Sequence, residues 1–177
     1  MIVLDWSHRV SELRERRTFT READENERAA MSDLIGNATC LNLAATYSIT
    51  RKREQRFEVE GRVTARLEQI CGVTLEPIVQ EIDEPLEVAF EPEAGRDAEL
   101  DTGFDPLGED PPEAIVNNRL DVGRIVAEIV ASAADPFPRA KDAMLDVSEA
   151  GGDEEPARDN PFTVLGGLAR QDRERDE

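Results

Sequence analysis

Leu41-Asn42-Leu43-Ala44-Ala45-Thr46-Tyr47-Ser48-Ile49-Thr50 is followed, after the polar run Arg51 to Arg56, by Phe57-Glu58-Val59-Glu60-Gly61-Arg62-Val63-Thr64-Ala65-Arg66-Leu67-Glu68, and these two segments decide the fold. In the first, Leu41, Leu43, Ala45, Tyr47 and Ile49 recur at every second position, with polar Asn42, Thr46, Ser48 and Thr50 between them. The second alternates in the same way. Period-two alternation of this length is the mark of a strand with one buried face, and two such strands joined by a short polar run make a long antiparallel hairpin. If the apolar faces align, Leu43 pairs with Val63 or Ala65. Cys40 then falls on the polar face and Cys71 on the apolar one, so the two thiols point apart. A third strand, about 78–90, ends in the alternation Leu86, Val88, Phe90.

Helical spacing appears on either side of this sheet. Asp24 and Glu27 have the spacing of a capping box, Ala29, Ala30, Met31, Leu34 and Ile35 follow at helical intervals, and Gly36 is a natural stop. This predicts a helix over 24–35. Asp121 caps a second helix whose apolar set is Val122, Ile125, Val126, Ile129 and Val130; Asp135-Pro136-Phe137-Pro138 ends it, because proline cannot continue a helix. Between sheet and second helix, residues 91–113 hold nine acidic residues, one arginine and four prolines. Such a segment buries too little to offset its ordering entropy and reads as a mobile acidic loop. Residues 140–159 are again acidic, and 160–168 form a short apolar island before a charged tail. The fold class is therefore α+β: an antiparallel β-sheet built on a long hairpin, two helices packed on one face, and flexible acidic segments. One domain is expected over 1–139, with 140–177 as an acidic tail.

Charge narrows the function. With 40 acidic and 21 basic side chains the net charge is −19, which repels nucleic acid and anionic membrane over most of the surface and favours basic partners. Met1 to Trp6 has no basic flank followed by a long apolar core, and no window supplies the roughly 18 apolar residues of a membrane span. The reading is a cytoplasmic protein. Two cysteines are too few for a disulfide framework.

Chemistry is sparse. His8 is the only histidine and reads as a surface residue near an unanchored terminus. Without a second histidine there is no usual base for a serine or cysteine nucleophile. No phosphate-binding loop or dinucleotide fingerprint occurs. Four ligands for a structural zinc cannot be assembled from Cys40, Cys71 and His8. No catalytic residue, metal or cofactor is expected, and the protein reads as a binding protein rather than an enzyme. One basic group stands out: Arg51, Lys52, Arg53, Arg56, Arg62 and Arg66, at the hairpin tip and on its outer face. These suit either a charged, blunted sheet surface or an RNA or ribosome contact. No aromatic residues are interleaved with them for base stacking.

Three pieces, in order, resemble a known family. They are Val63 to Pro77, containing Cys71-Gly72-Val73-Thr74-Leu75-Glu76-Pro77; Asp121 to Glu128 running into Asp135-Pro136-Phe137-Pro138-Arg139; and Asn160-Pro161-Phe162-Thr163-Val164-Leu165. Together, over roughly 19–168, the chain resembles the YceD family, bacterial proteins linked to accumulation of large-subunit ribosomal RNA. Many members carry Cys-x-x-Cys at the central turn, whereas here Cys71 fills the first position and Thr74 the second. The resemblance implies a non-catalytic accessory role in synthesis, processing or stability of large-subunit rRNA. Given the acidic body, a basic ribosomal or rRNA-processing protein is the expected partner, with Phe137, Phe162, Val164 and Leu165 as apolar anchors. The alternatives are direct RNA binding through the basic hairpin, and an acidic protein that mimics nucleic acid to block a basic site.

Overall fold

The computed structural model of the protein describes residues 3–92 and 111–144. The hairpin is its spine. With β1 (Ser7–Arg9) and β2 (Arg17–Glu22) ahead of them, its two strands are β3 (Ala38–Arg51) and β4 (Phe57–Ile70). Next come β5 (Pro77–Pro92), β6 (Glu113–Ile115) and β7 (Arg119–Asp121). Strands β2-β3-β4-β5-β6 form one sheet in that order, antiparallel except for β6, which runs parallel to the end of β5. A separate two-stranded ribbon pairs β1 with β7.

Leu43 pairs with Ala65 and Ile49 with Val59, one of the registers that aligned apolar faces allow. Tyr47, Phe57, Val63, Leu67, Leu86 and Phe90 all point to the inner face and are buried. Full burial of one such side chain contributes about 1.5–3 kcal/mol. Gly61 lies opposite Tyr47, and a Cβ there would run into the Thr46 carbonyl and the Tyr47 side chain.

Both helices cover this inner face. Helix α1 (Glu25–Ile35) lies on β3, and α2 (Val122–Ala133) lies on β4 and β5 and touches α1. The capping box at α1 is complete: the Glu27 N–H donates to Asp24 Oδ1 at 2.9 Å, and the Asp24 N–H donates to Glu27 Oε2 at 3.0 Å. Gly36 ends the helix at φ 79°, a left-handed conformation that suits glycine. Asp121 caps α2 by accepting from the Arg124 N–H at 3.1 Å. Against Val122, Val126 and Val130 the N-terminal segment adds Leu4 and Trp6, both buried. Gly123 is required there, since a Cβ would run into the Leu4 carbonyl.

The structure corrects three expectations. His8 is not a surface residue at a loose end: it sits in β1 opposite Leu120 and is buried. A three-residue strand is too short to leave a periodic pattern, so nothing local marked it. Cys40 is not on the polar face. A bulge at Leu41 shifts the register so that Cys40 pairs with Leu67 and is buried, while Leu41 is 41% exposed. An extra residue flips every side chain beyond it to the other face. The acidic segment expected to be mobile over 91–113 has ordered ends, in β5 to Pro92 and in β6 from Glu113, and residues 93–110 lie outside the described residues.

Candidate functional site

The hairpin carries its basic residues at the tip and along β4, and carboxylates pair with four of the six, three of them from the third strand. Arg62 chelates Asp83 of β5, with Nη2 to Oδ2 at 2.9 Å. Arg66 lies 3.7 Å from Glu81, Arg56 lies 2.8 Å from Glu91, and Lys52 lies 2.6 Å from Glu58. Arg51 packs over the Phe57 ring at 5.9 Å from its centroid. Arg53 and Arg51 are the hairpin cations in no ion pair among the described residues. The hairpin is therefore a charge-compensated surface rather than a basic finger.

What the open face of the sheet presents instead is acid. Glu58, Glu60, Glu68, Glu81, Asp83 and Glu87 project from it by alternation along β4 and β5, against Arg62 and Arg66. Glu60 stands directly opposite Glu87, and neither is in an ion pair among the described residues. Like charges directly across a ladder are destabilising. At the far end of the same face, Ile70 and Val79 are about half exposed beside Glu68.

Next to that end, two of the sequence motifs meet. The Gly72 N–H donates to the Pro138 carbonyl at 2.9 Å. Cys71 Sγ accepts N–H groups from Ala140 at 3.3 Å and from Thr74 at 3.4 Å. Those hydrogen bonds, Ala140's first, pull the buried thiol down to about 6 from its ordinary value. Thr74, standing where a second cysteine would be, thus serves the sulfur as a donor. Sequence reasoning missed Gln69 and Gln80. Gln80 donates to the Ala133 carbonyl at 2.8 Å and accepts from the Asp135 N–H at 3.0 Å; Gln69 donates to the Asp135 carbonyl at 2.8 Å. Together they satisfy groups at the C-terminal end of α2, which no helix bond can reach. Amide side chains at inward-facing strand positions were the available signal.

The junction fixes backbone but leaves apolar side chains outside. Leu75 is held at φ 61° by its N–H bond to the Cys71 carbonyl and is 75% exposed. Phe137, whose N–H donates to Asp135 Oδ1 at 2.8 Å, is 86% exposed. Glu76 and Pro77 lead into β5, and Pro136 follows the capped end of α2. The remaining motif residues, Asn160, Pro161, Phe162, Val164 and Leu165, lie outside the described residues. Among the described residues no group of three or more His, Cys, Asp or Glu is placed to hold a metal ion, and no helix is long and apolar enough to cross a membrane.

The family model described as large ribosomal RNA subunit accumulation protein YceD matches residues 59–169. The chain belongs to the YceD family. The match starts within β4 and takes in both halves of the Cys71–Pro138 junction, but it does not reach back over residues 19–58, which the sequence resemblance had included. The YceD description is that of an accumulation factor for large-subunit rRNA, not of an enzyme. No curated protein and no solved structure matches the chain.

Proposed function

We propose that this protein is a non-catalytic, cytoplasmic accessory factor that supports large-subunit rRNA by holding a basic ribosomal or processing protein on the open face of its sheet. The observation that carries this reading is the Glu60–Glu87 pair: two carboxylates placed directly opposite one another, neither of them in an ion pair among the described residues. A basic partner would supply the missing counter-charge, and Val79 and Ile70 offer apolar contact at one end of the same face, with Leu75 and Phe137 exposed at the neighbouring junction. The pairing of Arg56, Arg62 and Arg66 with carboxylates argues against RNA contact through the hairpin.

Capture on the immobilised full chain at low salt, with and without RNase, tests this. A basic ribosomal or processing protein should survive RNase and be lost about tenfold from Glu60→Lys/Glu87→Lys. Retention by that variant would sink the open-face reading.

A further inference from the structure

Four arginines in no ion pair among the described residues lie on β1, β2 and β7, separate from Arg56, Arg62 and Arg66, which β5 compensates. Arg17 and Arg21 flank Phe19 on one face of the edge strand β2, paired to Ile49 and Ala45 across from Tyr47's inner-face row. Arg119 of β7 stands directly opposite Arg9 of β1. None of these four guanidiniums is in an ion pair among the described residues. Their hydrogen bonds are to neutral groups: Arg119 to Ser7 Oγ at 3.0 Å, and Arg17 to the Glu12 carbonyl at 3.4 Å. The carboxylates nearest in register are turned away or engaged, since Glu22 alternates to the other face of β2 and Asp121 caps α2.

At the centre of this group lies an aromatic trio. The His8 ring is 4.1 Å from Phe19 and its Nε2 is 2.8 Å from Tyr47 Oη; Arg17 lies over the Phe19 ring at 5.5 Å. Burial first, then Arg21, Arg17 and Arg119, lower His8 to about 4, so it stays neutral and the edge's charge is that of its arginines. In a protein of net charge −19, uncompensated guanidiniums gathered at one edge set out a local anion site.

We propose that the edge formed by β1, β2 and β7 binds the phosphate backbone of single-stranded RNA, through Arg17, Arg21 and Arg119. Planar guanidinium forks match phosphate oxygens two at a time, and a base can stack on the outward plane of Arg17, which Phe19 backs. An acidic peptide offers carboxylates but no base plane for that stack. This inference does not rest on the protein-partner reading: it uses a different surface and a different chemistry.

The test is fluorescence anisotropy of the full chain with a labelled oligouridine of roughly 12 nucleotides, inside the usual single-strand site size. Arg17→Gln/Arg21→Gln/Arg119→Gln should weaken binding at least about tenfold and cut the salt slope by about 2, at roughly 0.7 per phosphate contact. The corresponding triple lysine variant, which keeps the charge but loses the planar forks, should keep the parent's salt slope and lose less affinity than the glutamine triple, and it guards against misfolding. Arg51→Gln/Arg53→Gln should bind within about twofold of the parent, having removed no phosphate contact. The proposal is overturned if the parent does not bind, if the glutamine triple binds as well as the parent, if the hairpin variant is the one that loses binding, or if polyglutamate competes as strongly as RNA. Partner capture by Glu60→Lys/Glu87→Lys is unaffected by any of these outcomes, so the two readings fail separately.

Discussion

The β3–β4 hairpin and the β1–β2–β7 edge are both rich in arginine, yet they present opposite electrostatics. On the hairpin, Arg56, Arg62 and Arg66 each face a carboxylate of β5. On the edge, Arg9 faces Arg119, and Arg17 and Arg21 have no carboxylate partner among the described residues. The lesson concerns where counter-charge comes from. A run such as Arg51-Lys52-Arg53 is conspicuous in sequence because its members are neighbours, but its potential depends on what a third strand lays beside it. Exposed pairs of this kind contribute little stability, about 0–1 kcal/mol each. Their consequence is to cancel the local field.

The two tests already described, RNA binding and partner capture, probe the comparison most strongly. A third works through His8. Its folded-state pKa is depressed to about 4, below the ordinary value of 6.5, so the folded protein binds fewer protons than the unfolded chain between those values. Stability should therefore fall as the pH drops from 6.5 towards 4, by up to about 2–3 kcal/mol. In His8→Phe that fall should shrink, although the variant starts lower because Tyr47 Oη loses its partner. Bound oligouridine, by neutralising Arg17, Arg21 and Arg119, should raise the His8 pKa, measurable from its ring protons. An unchanged pKa on saturation would break the assignment of those arginines to phosphate.

A smaller effect concerns the like-charge ladders themselves. Glu60→Lys, opposite Glu87, and Arg9→Glu, opposite Arg119, should each stabilise the fold by about 0.5 kcal/mol, seen in the denaturation midpoint. Destabilisation by either would mean that the like charges are already relieved within the protein. Smallest of all, Asp83→Asn releases Arg62 on the open face. RNA affinity should rise by no more than about twofold, because the other acids of that face persist. A gain as large as the edge arginines provide would show that unpairing alone makes a site.

Much of this was legible beforehand. Tyr47, Ile49, Phe57 and Val59 announced the hairpin by strict alternation, and Asp24, Glu27 and Gly36 marked both ends of α1. Such signals are local, carried by residues within one element. The bulge at Leu41 was hidden, because an inserted residue in an apolar run changes the face without changing the composition. The ribbon β1–β7 was hidden too: two three-residue strands, 112 positions apart at Ser7 and Arg119, leave no period to count. Of the motif residues, Cys71 and Pro138 were picked out singly, and their contact was not.

By itself, then, the sequence determined the class of fold, the acidic character of the whole and the family to which its pieces point, since these depend on composition, short-range periodicity and ordered motifs. Only the tertiary structure decided which charges remain. Ion pairing acts across a few ångströms between strands that the chain order keeps apart, so β5 silences the hairpin while β7 brings Arg119 to Arg9 and leaves that edge uncompensated.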